Sequence, residues 1–221
     1  MPQSARIIQK SWLTHDVICL RLEKPPFYSY KAGQAIEVTL DFPRFYGDQA
    51  PFTLTSLNSD DYLELIIKVY PDHKGITLAL SHLREGDKIV IGDPWDSYRN
   101  LRPGIFIAGG TGITSFISFL RQLKGTENLS KPLLFFINKT EQDIFLYEEF
   151  SQILGHNYAN VLTRENKENF LFGPVDLDFL RKHIYDFHRH FYVCGPGGFS
   201  EQIKDQLVTI GADPDMVNIG Y

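Results

Sequence analysis

Ile105-Phe106-Ile107-Ala108-Gly109-Gly110-Thr111-Gly112-Ile113-Thr114 runs from an apolar strand through a glycine turn into the helical stretch Ser115-Phe116-Ile117-Ser118-Phe119-Leu120. A strand that feeds a helix through glycines is the opening unit of a parallel α/β sheet. Glycine lets the backbone approach a phosphate, and the unbonded N–H groups and positive dipole end of the helix favour an anion there. The spacing departs from G-x-G-x-x-G, so by itself the turn reads equally as a tight structural connection. A second apolar strand ends in Tyr192-Val193-Cys194-Gly195-Pro196-Gly197-Gly198 and also opens a helix. Ligands of open parallel sheets bind beyond the carboxyl ends of the strands, so both turns are expected to line one crevice. Cys194 alone reads as a small buried residue at a strand end.

Outward from this unit, strands and helices alternate to the end of the sequence. Further strands are expected at Leu133–Ile137, Asn160–Thr163, Phe191–Cys194 and Val217–Ile219, and helices at Ile113–Leu123, Leu146–Leu154, Leu177–Tyr185 and Phe199–Ile210. Five parallel strands with crossover helices give a Rossmann-like domain over residues 103–221. The rhythm upstream is different. Arg6–Ser11, Val17–Glu23, Ala35–Leu40, Phe52–Ser56, Leu63–Val69 and Lys88–Ile91 alternate with period 2, separated by turn-rich stretches such as Pro71-Asp72-His73-Lys74-Gly75. Six strands with only one helix between them, at Thr77–Leu83, favour an antiparallel barrel or sandwich over residues 1–98. The linker follows Asp96 and ends near Pro103.

The 221 residues are enough for two cores, and 43% hydrophobic against 22% charged argues against disorder. A net charge of −5 excludes a general nucleic-acid binder. There is no apolar leader and no run long enough to span a membrane, which points to a soluble, cytoplasmic protein. Cys19 and Cys194 are the only cysteines, so neither a disulfide framework nor a metal site is expected. An iron–sulfur cluster needs about four ligands, more than this sequence supplies. His183, His188 and His190 read as a solvated polar end of a helix.

In order along the chain stand Pro51-Phe52-Thr53-Leu54-Thr55-Ser56, Gly75-Ile76-Thr77, Gly109-Gly110-Thr111-Gly112-Ile113-Thr114, Thr163-Arg164-Glu165 and Cys194-Gly195-Pro196. Together these motifs resemble the ferredoxin-NADP reductase family over essentially the whole sequence. The resemblance implies an antiparallel six-stranded β-barrel that holds flavin, followed by the parallel domain that holds the nicotinamide dinucleotide. The family's Arg-x-Tyr-Ser/Thr signature matches Ala50-Pro51-Phe52-Thr53, which implies that Phe52 packs on the isoalloxazine and Thr53 offers its hydroxyl to flavin N5.

Ala50 replaces the arginine that pairs with a flavin phosphate, the loss of a charge-assisted bond of about 1.5 to 3 kcal/mol. Arg44 and Lys68 are the substitute cations in sequence reach, and Gly75, Ile76 and Thr77 match the family's phosphate loop. By the same resemblance Gly110, Thr111 and Gly112 bind the dinucleotide's pyrophosphate. Thr163 and Arg164 match a pair that grips the 2′-phosphate of NADP. With no acid at Asn138-Lys139, NADPH is favoured over NADH. Cys194, with Gly195 and Pro196, would lie near the nicotinamide, and Tyr221 would cover the flavin, FAD rather than FMN.

The implied activity is a flavin-dependent NAD(P)H oxidoreductase that passes electrons to a separate carrier such as flavodoxin or ferredoxin. Thr53, Cys194 and Tyr221 stand nearest the chemistry, and the chain is expected to act as a monomer. The alternatives are a reductase component of a multicomponent oxygenase and a degenerate nucleotide-binding module without redox activity.

Overall fold

Alternating apolar and polar residues favour strands in the first half of the chain, because every second side chain joins one buried face. The computed structural model describes residues 2–40, 49–98, 101–124 and 132–220. Among them β1 (Gln3–Trp12), β2 (Val17–Glu23), β3 (Gln34–Thr39), β4 (Gln49–Thr53), β5 (Tyr62–Lys68) and β6 (Lys88–Ile91) pair antiparallel in the order β4-β3-β6-β1-β2-β5. A short strand, β7 (Trp95–Asp96), adds to β3. An isolated bridge from Leu54 to Leu65, with Thr55 N donating to Glu64 O at 2.9 Å, joins the two end strands and closes the sheet into a barrel. The barrel's centre holds Ile7, Leu20, Leu22, Ile36, Leu65 and Ile91, each 0% exposed.

One helix, α1 (Ile76–His82), interrupts the strands and buries Leu80 in this core. Its carboxyl end is closed from outside: Lys10 Nζ, on β1, donates to Ser81 O and, at 2.7 Å, to Leu83 O. A cation suits the negative end of a helix and satisfies carbonyls that have no partner within it. Burial, with the Arg84 charge adding to it, lowers the pKa of Lys10.

The second sheet is parallel throughout. β8 (Ile105–Gly109), β9 (Leu133–Asn138), β10 (Tyr158–Leu162), β11 (Leu171–Phe172), β12 (Phe191–Cys194) and β13 (Val217–Ile219) lie in the order β11-β10-β9-β8-β12-β13. Two-residue β11 is too short to show a period and makes this a six-stranded sheet where sequence periodicity marks five. Helices α3 (Tyr147–Leu154), α4 (Leu177–His183) and α5 (Phe199–Thr209) follow β9, β11 and β12. Asp176 caps α4 by accepting from Phe179 N at 2.9 Å. His183 is not simply solvated: its ring lies 4.5 Å from that of Phe179, and desolvation, with Lys182 nearby, lowers its pKa.

Contacts divide the chain into two compact units, Met1–Arg99 with Thr114–Gln122, and Asn100–Ile113 with Leu123–Tyr221. Helix α2 (Thr114–Gln122) therefore counts with the barrel, although its place in sequence puts it inside 103–221. Its Phe116 ring meets Tyr98 edge-on at 5.2 Å, and Ser118 Oγ accepts from Gly33 N at 3.0 Å. Six consecutive residues of α2, Ser115 to Leu120, are buried.

Candidate functional site

The strand order of the parallel sheet turns at β8, which lies between its sequence successor β9 and the late strand β12. Such a switch point leaves a crevice at the carboxyl ends of the two strands, because their connections leave in opposite directions. Both glycine turns are there. Gly110–Ile113 forms a short 3-10 turn after β8, and Cys194-Gly195-Pro196 follows β12, with Ala108 and Cys194 paired across the strands.

The turns meet backbone to backbone. A Cβ at Gly112 would sit 2.2 Å from Cys194 O, one at Gly195 2.3 Å from the Phe199 ring, and one at Gly109 3.2 Å from Pro196 Cδ. Gly110 (φ +52°) and Gly198 (φ +73°), by contrast, face open space. Gly198 begins α5 with no side-chain cap. Close glycines beside open ones, with an uncapped helix start, form a cradle that an extended anion fits. Cys194 is half-buried there.

Beyond β9 and β10, Thr163 N and Oγ1 both reach Asn138 O, at 2.9 and 3.2 Å, and Arg164 N donates to Lys139 O at 2.9 Å. This continues the parallel pairing past the strand ends and holds Thr163 and Arg164 at the carboxyl edge, with the Arg164 side chain exposed. The acid that follows, Glu165, accepts from Glu141 N at 2.9 Å. That bond engages Glu165 with the turn after β9.

In the barrel unit, β4 carries the flavin-like stretch. Pairing of Phe52 with Ile36 and Thr53 with Ala35 sends the two side chains to opposite faces. Phe52 packs partly against the core, and Thr53 is half-buried on the outer face. Gly75 begins α1 with no side-chain cap, so the N–H groups of Ile76 and Thr77 stand at an open helix start; Thr77 Oγ1 accepts only a long bond, 3.4 Å, from Tyr70 N. This donor set fits a phosphate without the missing arginine.

Lys68 is not a substitute for that arginine, because Asp16 Oδ2 holds its ammonium at 2.5 Å. Arg44 and Tyr221 lie outside the described residues. Lys24 is engaged as well, by Asn58 O at 2.5 Å and Asp60 O at 3.2 Å.

Sequence reasoning passed over one cluster. Glu64 is 2% exposed on the outer face of β5. Its carboxylate accepts from Arg121 at 2.6 Å, from its cross-strand partner Arg21 at 3.1 Å and from Thr55 Oγ1 at 3.0 Å. Burial alone would raise the Glu64 pKa, but the Arg121 guanidinium, with Arg21 and the Thr55 hydroxyl, outweighs it and holds the carboxyl below its usual range. Period-2 alternation assigns Glu64 to solvent. The available signal was that Ile66 and Cys19, on the same outer face, are apolar.

Among the described residues, no helix is long and apolar enough to cross a membrane. Residues 3–90 match the model of an FAD-binding domain, and residues 106–205 that of an oxidoreductase NAD-binding domain. The reductase component of propane 2-monooxygenase from Mycolicibacterium smegmatis is 30% identical over 147 residues, 63% of this chain and 41% of that protein. NADH-cytochrome b5 reductase 1 of Candida glabrata is 25% identical over 225 residues, 93% of this chain and 78% of that protein. The solved ferredoxin NADP+ reductase of Neisseria gonorrhoeae, with bound FAD and NADP, superposes with a TM-score of 0.84 at 16% identity, covering 99% of this chain and 97% of that one. The chain spans about two fifths of the length of the propane 2-monooxygenase reductase components it matches.

Proposed function

The chain belongs to the ferredoxin reductase-like FAD- and NAD(P)-binding oxidoreductases, and we propose that it takes electrons from NADPH and delivers them to a separate electron-carrier protein. In this reading the barrel holds FAD and the parallel sheet holds the dinucleotide. The observation that carries it is the packing of the two glycine turns, where Gly112 leaves no room for a Cβ beside Cys194 O. A tightly packed turn beside open glycines is what backbone donors need to reach a pyrophosphate.

A bound flavin supplies two-electron uptake from the dinucleotide and single-electron release, which no side chain provides. The chain's own residues bind and orient. Gly110, Thr111 and Gly112 hold the pyrophosphate, and Cys194 with Gly195 and Pro196 forms the wall beside the nicotinamide. Thr163 and Arg164 take the 2′-phosphate, for which an exposed guanidinium suits a dianion. Gly75, Ile76 and Thr77 hold a flavin phosphate, and Thr53 presents its hydroxyl to the ring. Tyr221 is assigned to the flavin's other face by resemblance alone.

A second reading, in which the acceptor is the oxygenase partner of a multicomponent system, is favoured by the sequence likeness to the propane 2-monooxygenase reductase component. The test is an absorbance spectrum from 300 to 600 nm with added FAD, then anaerobic NADPH or NADH. Flavin bands that bleach faster with NADPH support the proposal. Failure to take up FAD at tens of micromolar overturns it.

A further inference from the structure

The regular pairing of the strand that presents Phe52 and Thr53 ends at Thr53; Leu54 N still donates to Gln34 O at 3.0 Å, and the two residues after it are held by Glu64 and its partners. Leu54 makes one isolated bridge to Leu65. Thr55 is held at its backbone and side chain: its N donates to Glu64 O, its Oγ1 reaches Glu64 Oε1 at 3.0 Å, and its carbonyl accepts from Arg121 at 2.9 Å. Ser56 Oγ accepts from Glu64 N at 2.9 Å and is paired with the Tyr30 hydroxyl at 2.7 Å. Glu64 is thus the hub and Arg121 the clasp. The clasp comes from α2, 66 residues beyond Thr55.

We propose that Arg121 is a positioning residue for flavin binding: by holding the Thr55 carbonyl and the Glu64 carboxylate together, it fixes the end of the strand that carries Phe52 and Thr53. The inference rests on the flavin reading above. Arg121 contributes two bonds from one planar group, to an anion and to a carbonyl, in a setting where Glu64 is 2% exposed and water cannot substitute. Both bonds leave Nη1, whose two N–H groups are fixed in the guanidinium plane, whereas an ammonium on a flexible stem is not pre-organised for that pair. Without the clasp, the 3.0 Å bond to Glu64 holds the Thr55 hydroxyl, but its carbonyl loses a partner. Thr53, two residues earlier, keeps its pairing with Ala35 but loses the anchor on the segment that follows it.

The experiment titrates FAD into flavin-free full-length protein by fluorescence quenching, for wild type, Arg121→Met, Arg121→Lys and Leu207→Ala. Leu207 is fully buried in the parallel-sheet unit, and its truncation supplies a stability loss without touching the clasp. Far-UV circular dichroism and the thermal midpoint establish that each variant is folded. The expected result is a ten-fold or larger rise in the FAD dissociation constant for Arg121→Met, a smaller rise for Arg121→Lys and none for Leu207→Ala. Should Arg121→Met fail to fold, Arg121→Lys against Leu207→Ala carries the comparison, with an expected rise of at least three-fold. FAD affinity unchanged in the Arg121 variants, or lowered equally in Leu207→Ala, overturns the inference and leaves the flavin reading intact. A wild type that binds no FAD overturns both.

Discussion

On the proposed reading, single positions decide whether the dinucleotide is held, and Gly112 is the sharpest of them. Its missing Cβ would fall 2.2 Å from a backbone oxygen, which cannot rotate away as a side chain does. Gly112→Ala is therefore expected to force the two turns apart, with a cost of about 1–3 kcal/mol from overpacking and loss of detectable NADPH binding. Gly197→Ala, where nothing lies within 4 Å, is expected to change the urea midpoint little. Equal midpoints for the two variants would count against the cradle. Arg164 governs a choice rather than an ability. With the neighbouring acid Glu165 engaged at Glu141 N, the exposed guanidinium is the group proposed to recognise a 2′-phosphate at this edge. Arg164→Ala should lower kcat/KM for NADPH about ten-fold or more and leave NADH near its original value, in line with the loss of one charge-assisted contact. A parallel fall with both coenzymes would remove Arg164 from specificity.

At the scale of elements, the helix that opens at Gly75 depends on a cation 71 residues away from its last turn. Lys10→Met retains the aliphatic stem and removes the bonds to Ser81 O and Leu83 O. The loss should be about 1 kcal/mol by urea denaturation, the worth of such a cap, and FAD affinity should fall with it if the far end of α1 frays. Legibility in the sequence follows the same division between local and remote. β2, β6, β12 and β13 have the limits that alternation and apolar runs mark, because a strand's period is written in consecutive residues. β7 and β11 have two residues each and show no period. The destination of α2 was not readable either: amphipathicity says that a face is buried, not against which surface. The glycine turns were legible because backbone approach demands glycine at fixed places. The Glu64 cluster was not, since Arg121 stands 57 positions from its carboxylate and no local pattern joins them.

For the whole molecule, the buried carboxylate ties stability to pH. The ordinary value for Glu64 is 4.5, and its partners hold it lower in the folded chain. A depressed pKa means that the native state binds its proton more weakly than the unfolded chain. The stabilisation is thus fully present above about pH 4.5 and is lost as the pH falls through the folded value. Asp16, lowered by Lys68 against its own burial, adds in the same direction from an ordinary value of 3.8. Neutralising Glu64 has two consequences that separate it from a surface acid. At pH 7, Glu64→Gln leaves the largely buried Arg121 and the part-exposed Arg21 without their shared anion, a loss of about 3 kcal/mol. As the pH falls through the lowered folded value the wild type approaches the same protonation state, so the gap between the two proteins must close. Urea midpoints taken from pH 3 to 7 should show converging curves, with wild type steep on the acid side and Glu64→Gln flatter. Curves that stay parallel would mean that Glu64 carries no linked proton, and that its guanidinium partners act by packing rather than by charge.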